Sequence, residues 1–126
     1  MRAIVVDDSQ AMRSLLKSVL EDAGFEIAAE AGNGKEALEV LERTGPVDLM
    51  LLDWNMPVMS GIDLLEKVRS DATFGPMLTM MVTTEAEAPQ ILRAIEAGAD
   101  EYLIKPFSKR AMREKLRLLG FADDAA

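Results

Sequence analysis

Residues 48–53 read DLMLLD. Four apolar side chains follow one another without alternation, and a carboxylate closes each end. A strand with one wet face alternates apolar and polar residues. A run that is apolar on both sides suits a strand covered on both faces, the environment of a parallel sheet. Similar blocks recur at 3–6 (AIVV), 77–83 (MLTMMVT) and 102–104 (YLI), with 25–30 (FEIAAE) as a weaker fifth.

Helical spacing fills the intervals. Met12, Leu15, Leu16, Val19, Leu20 and Ala23 form one stripe, with Ser9 to cap its start and Gly24 to end it. Ala37, Leu38, Val40 and Leu41 form a second stripe, and Ile62, Leu64, Leu65 and Val68 a third. Ile91, Leu92, Ile95 and Ala97 make a fourth, closed by Gly98. Met112, Leu116 and Leu119 make the last, with Ser108 as its cap. Strand then helix, five times over, predicts parallel crossovers and a three-layer α/β sandwich. The connections are short, so residues 1–120 read as one domain with no linker, and 121–126 (FADDAA) as a short tail.

Composition narrows the chemistry. The chain has 126 residues, near the commonest size of one domain, and can bury roughly two thirds of its unfolded surface. It has no Cys, hence no disulfide and no thiolate metal site. It has no His, hence no imidazole catalysis and no His-zinc site. No apolar run approaches the ~20 residues of a membrane span, and the N-terminus lacks a secretory pattern, so a cytoplasmic protein without a membrane partner is expected. The net charge of −8 argues against direct nucleic-acid binding, which needs clustered Lys and Arg.

In sheets of this kind ligands sit beyond the carboxyl ends of the strands. Asp7 and Asp8 follow the first apolar block, Asp53 ends the third, Thr83 and Thr84 end the fourth, and Lys105 follows the fifth. Alone, an Asp-Asp pair is a solvated turn or a helix cap. Three carboxylates converging at one rim repel one another and call for a cation. Oxygen ligands without His or Cys point to Mg²⁺ or Mn²⁺. The cation in turn suits a phosphate, to which Lys105 adds positive charge and Thr83 a hydrogen bond. Asp53 is placed to be the nucleophile that becomes an acyl phosphate, with catalysis by positioning and charge neutralisation.

Four stretches, VVDDS (5–9), LLDWNMPVMSG (51–61), VTTE (82–85) and IKPF (104–107), resemble those of two-component response-regulator receiver domains. DWNMP with Thr-x-Glu downstream is most similar to the single-domain CheY-type chemotaxis regulators. The likeness runs from about residue 2 to 119. It implies a flavodoxin-like, CheY-like (βα)5 fold with strand order 2-1-3-4-5. It implies Asp53 as phosphoacceptor, and Mg²⁺ held by Asp8, Asp53 and the backbone carbonyl of Asn55, with Asp7 acting through water. Thr83 and Tyr102 match a switch pair in which the hydroxyl moves to the phosphate and the ring turns inward. Lys105 would bridge to the phosphoryl group, and its bond to Pro106 would be cis. Asn55 and Glu85 fall at positions that tune hydrolysis. Thr84 departs from the pattern, which commonly has a smaller residue there, and a bulkier neighbour narrows access.

The resemblance also implies partners: a histidine kinase, CheA-type or other, as phosphodonor, and a protein target. The target would meet the face made by helix four, strand five and helix five, around Ile91, Ala94, Tyr102 and Lys109. The chain stops soon after helix five, so no output domain is expected. It would be no enzyme beyond its own phosphorylation and dephosphorylation. Trp54, Met56 and Met59 read first as packing residues, and GNGKEAL (32–38) as a strand-to-helix turn without Walker spacing. Three rivals are weaker. A haloacid-dehalogenase-like phosphatase needs a general acid where Asn55 stands. An FMN binder needs a Ser/Thr/Gly-rich first loop where DDSQ stands. A receiver fragment of a longer regulator is separated only by the length of the gene.

Overall fold

The computed structural model describes residues 1–121. Five strands alternate with five helices: β1 (Arg2–Val6), α1 (Gln10–Asp22), β2 (Glu26–Ala31), α2 (Gly34–Thr44), β3 (Leu49–Leu52), α3 (Gly61–Ser70), β4 (Leu78–Thr83), α4 (Ala88–Ala97), β5 (Glu101–Ile104) and α5 (Lys109–Leu118). The helix starts are set by short polar side chains. Ser9, Asn33, Ser60 and Ser108 each accept a backbone N–H of the first turn, at 2.9–3.2 Å. Gly98 ends α4 with φ 116°, a backbone that glycine adopts without strain.

All strand pairs are parallel and the order is β2-β1-β3-β4-β5. The unalternated blocks are explained by this arrangement. Ile4, Val6, Met50, Leu52 and Met81 face α2, α3 and α4, while Ala3, Val5, Leu49, Leu51, Met80 and Val82 face α1 and α5. Helices leave β1 to one side of the sheet and β3 to the other, so the crevice between these strands is where the winding reverses.

Three features of the packing depart from the sequence stripes. Leu15 on α1 is 45% exposed, and the burial falls to Leu16, Val19 and Leu20. On α4, Leu92 and Ile95 are exposed, and Ala94 and Ala97 meet the sheet instead. Small residues bring that helix close, and the larger aliphatics are left on its outer side. Phe121, assigned to the tail, is buried with its ring edge-on to Phe25, centroids 4.9 Å apart. The core therefore extends one residue past Gly120; the rest of the tail, 122–126, lies outside the described residues.

Gly61 fixes the loop that follows β3. A Cβ there would stand 2.0 Å from the Asp53 carbonyl oxygen, and the Gly61 N–H donates to the Trp54 carbonyl at 2.9 Å. Gly61→Ala must push the backbone of Asp53 aside. It should cost about 1–3 kcal/mol of stability by urea unfolding and weaken any ligand that uses Asp53. An unchanged urea midpoint would show that the loop yields freely.

Candidate functional site

Register assembles the site. Val6 pairs with Leu52 across β1 and β3, so the next residues, Asp7 and Asp53, emerge side by side. The Asp53 N–H continues the ladder to the Val6 carbonyl at 3.0 Å, and the Asp7 N–H to the Ala31 carbonyl at 3.0 Å. On the other side Thr83 pairs with Ile104, which brings Lys105 to the same rim. The Lys105 N–H donates to the Thr83 carbonyl at 2.8 Å.

Lys105 reaches back between the two acids. Its Nζ lies 2.8 Å from Asp7 Oδ2 and 3.0 Å from Asp53 Oδ2. The side chains are largely dry: 11% exposed for Lys105, 2% for Asp7 and 12% for Asp53. Burial alone pulls the lysine pKa down, but its hydrogen bonds to Asp7 and Asp53, and their charges, outweigh this and hold it above its usual value. The remaining carboxylate oxygens are also engaged. Asp7 Oδ1 accepts the Ser9 N–H at 2.9 Å, and Asp53 Oδ1 accepts the Trp54 N–H at 2.6 Å.

Asp8 differs from its neighbour. It is exposed and carries no side-chain hydrogen bond or ion pair among the described residues. One oxygen each of Asp7, Asp8 and Asp53 lie within 4.8 Å of one another. Three acids against one ammonium leave negative charge uncompensated. An all-oxygen donor set with one open, solvated member fits a hard divalent cation that keeps several waters. The resemblance implies a water-mediated part for Asp7 at the metal; its Oδ2 also accepts from Lys105 Nζ, at 2.8 Å.

The wall on the β4 side is built around Glu85. Thr83 is fully buried, and its Oγ1 faces the Glu85 N–H at 3.4 Å. The Tyr102 hydroxyl donates to the Glu85 carbonyl at 2.6 Å, so its ring lies inward at 7% exposure. Burial first, then the charges of Glu85 and Asp53, push its pKa up to about 12. Asn55 Nδ2 donates to Glu85 Oε1 at 2.8 Å, tying the loop after β3 to the loop after β4. Thr84, the departure from the expected pattern, is exposed. The Lys105–Pro106 bond is cis.

The outer face of α4, β5 and α5 is not the set of residues read from the sequence. Ala94 and Tyr102 point into the core, and Ile91 packs at its edge. Lys109 reaches Asp22 on α1, on the far flank of α5. Exposed aliphatics on these elements are Leu92 and Ile95 of α4, Ile104 of β5 and Leu118 of α5. Sequence reasoning also passed over Gly61 and Val58. Val58 is 77% exposed at φ 70°, a strained backbone for a β-branched residue. Only the glycine after Met-Ser offered a signal for the tight loop.

A family model described as the response regulator receiver domain matches residues 3–117. The chain is 40% identical over 124 residues to the chemotaxis protein CheY1 of Helicobacter pylori strain 26695, covering 98% of this chain and 100% of that one. It is 43% identical over 116 residues to the chemotaxis protein CheY of Pseudomonas aeruginosa, covering 92% and 93%. Among solved structures, Vibrio cholerae CheY4 at low pH superposes with a TM-score of 0.84 at 31% identity, covering 93% and 96%. A CheY-like receiver domain from Methanospirillum hungatei gives 0.82 at 33%, covering 94% and 91%.

Two outcomes test this electrostatic account. Lys105→Met leaves Asp7 buried without a counter-ion and should destabilise the metal-free protein by about 3 kcal/mol in urea; a loss near zero would mean the acids are not held as described. Lys105 and Tyr102 both keep their protons to higher pH folded than unfolded. Their stabilisation is complete below the unfolded values of about 10 and is lost as pH rises through the folded ones. The urea midpoint should therefore fall from about pH 9 to about pH 11, less steeply in Tyr102→Phe; equal profiles would contradict the tyrosine's share.

Proposed function

The chain belongs to the response regulator receiver family and is a phosphorylation-dependent signalling domain of the CheY type; on that footing we propose that Asp53 is its phosphoacceptor. The observation that carries this reading is Lys105 Nζ shared between Asp7 and Asp53, beside the open carboxylate of Asp8. Asp53 stands at the switch point with one oxygen held by a backbone N–H and the other by the Lys105 ammonium. An Asp53 oxygen attacks the phosphorus of a phosphohistidine on a partner kinase. The P–O bond forms as the P–N bond breaks, and the imidazole leaves with its electron pair and takes up a proton. Lys105 then moves from the carboxylates to the new phosphoryl oxygens, and the Thr83 hydroxyl donates to another.

Asp8 and Asp53, with the Asn55 carbonyl and with Asp7 through water, would hold Mg²⁺. When bound, the ion supplies neutralisation of the charge on acids and phosphate. Phosphorylation adds about −1.5 to −2 charges at one rim. Thr83 and Tyr102 both touch Glu85, so displacement of the hydroxyl pulls the strap that the tyrosine also holds. The shift would be read on the face of Leu92, Ile95 and Ile104 as a change in the population of two packings. The kinase is CheA-type or another histidine kinase, the target is a protein of chemotaxis-type signalling, and the work is cytoplasmic. Toward outside substrates the chain would do no catalysis.

With Mg²⁺ and acetyl phosphate, intact mass should show one added phosphoryl group, absent in Asp53→Asn; full, acid-labile labelling of that variant would reject Asp53. The Asn55–Glu85 bridge spans the mouth of the site. Glu85→Ala should open it and speed both loading and hydrolysis several-fold, measured by the fluorescence of Trp54; unchanged rates would remove the bridge from the mechanism.

A further inference from the structure

The last helix departs from the charge of the rest of the chain. The net charge is −8, yet α5 (KRAMREKLRL) holds five basic residues and one glutamate. Lys109, Arg110, Arg113, Glu114 and Arg117 line a groove of about 510 Å³ along it. Two ion pairs orient the helix. Lys109 Nζ lies 3.3 Å from Asp22 Oδ2 on α1, and Lys115 Nζ lies 2.8 Å from Glu101 Oε1 on β5. At about 100° per residue, Lys109, Arg113 and Arg117 stack on the flank beside α1, with Lys115 on the opposite flank. The groove is thus separate from the surface of Leu92, Ile95 and Ile104.

Internal pairing does not use up this positive charge. Glu114 is bound by Arg117. Arg110 and Arg113 have no ion pair among the described residues, and Arg113 Nε is buried without an acceptor. The planar guanidinium forks of Arg110 and Arg113, left without a carboxylate of this chain, suit carboxylates in two-point contact.

We propose that the α1-facing flank of α5 is a docking groove for an acidic segment of a partner protein, whose carboxylates engage Arg110 and Arg113. Charge decides the occupant. A nucleic-acid duplex or an anionic membrane would extend over the acidic remainder of the molecule and be repelled by it. A short acidic segment keeps its charges within a Debye length of roughly 8–10 Å of the helix. From Lys109 to Arg117 the helix rises about 12 Å, the reach of about four extended residues. Such a groove would hold a partner whether or not Asp53 is phosphorylated.

The test is fluorescence anisotropy with fluorescein-labelled hexaglutamate and the whole chain. Wild type should bind at about 50 mM salt and weaken markedly by about 300 mM. Arg110→Glu/Arg113→Glu and the milder Arg110→Gln/Arg113→Gln should each weaken binding, the reversal about tenfold or more. Leu92→Ala/Ile95→Ala should leave it unchanged. Circular dichroism checks that each variant is folded, and the milder pair stands in if the reversal is not. Unchanged affinity in the folded variants overturns the proposal. So does tighter binding of labelled duplex DNA or of phosphatidylserine vesicles than of the peptide. A concentration-dependent dimer by light scattering, lost in the same variants, would assign the groove to a second copy and also overturns it. The response of Trp54 to acetyl phosphate is scored separately, so failure here leaves the phosphoacceptor reading untouched.

Discussion

One ammonium group between two buried carboxylates organises the functional end of this molecule. Asp7 and Asp53 arrive from adjacent strands whose ladder leaves them no freedom to separate. Two like charges in a dry crevice are unfavourable unless a cation lies between them. Lys105, delivered from β5, meets that requirement at 2.8 and 3.0 Å. The same arrangement makes the site responsive. A divalent ion and a phosphoryl group would bring their own charges and compete for the lysine, so ligand binding and lysine position cannot be independent.

The fold is the means of bringing these groups together. Asp7, Asp53 and Lys105 each follow the last residue of a strand by one position, and the parallel pairing places all three ends at one edge. Gly61 lets the loop after β3 fold back onto the carbonyl of Asp53. At the other end of the sheet Arg69 anchors α4, donating from Nε to the Gly98 carbonyl at 3.0 Å and from Nη1 to the Met77 carbonyl at 2.8 Å. The opposite end of α4 has no side-chain cap. Side-chain bonds therefore hold the end of α4 far from the site and none caps the end close to it, an asymmetry that the proposed displacement through Glu85 would use.

Much of this was legible in the sequence because its signals are local. Apolar runs that end in a charge mark both a strand and its functional tip, as AIVVDD and DLMLLD do. Caps such as Ser9 and Ser108 act within three residues. What escaped depends on distant partners. The direction of α4 turns on whether Ala94 or Leu92 meets the sheet, and both are apolar. The Asn55–Glu85 bond joins residues 30 apart, and Phe121 is held by Phe25. Gly61 looks like any loop glycine until the carbonyl beneath it is seen.

On the reading proposed here the acid hollow places a phosphoryl group on one particular aspartate. Reductive trapping with borohydride, after loading with acetyl phosphate and Mg²⁺, converts an aspartyl phosphate to homoserine and marks its position for peptide mapping. Homoserine is expected at residue 53 and nowhere else. Homoserine at 7 or 8, or its complete absence from a protein that binds the metal, would rule out Asp53 as the acceptor.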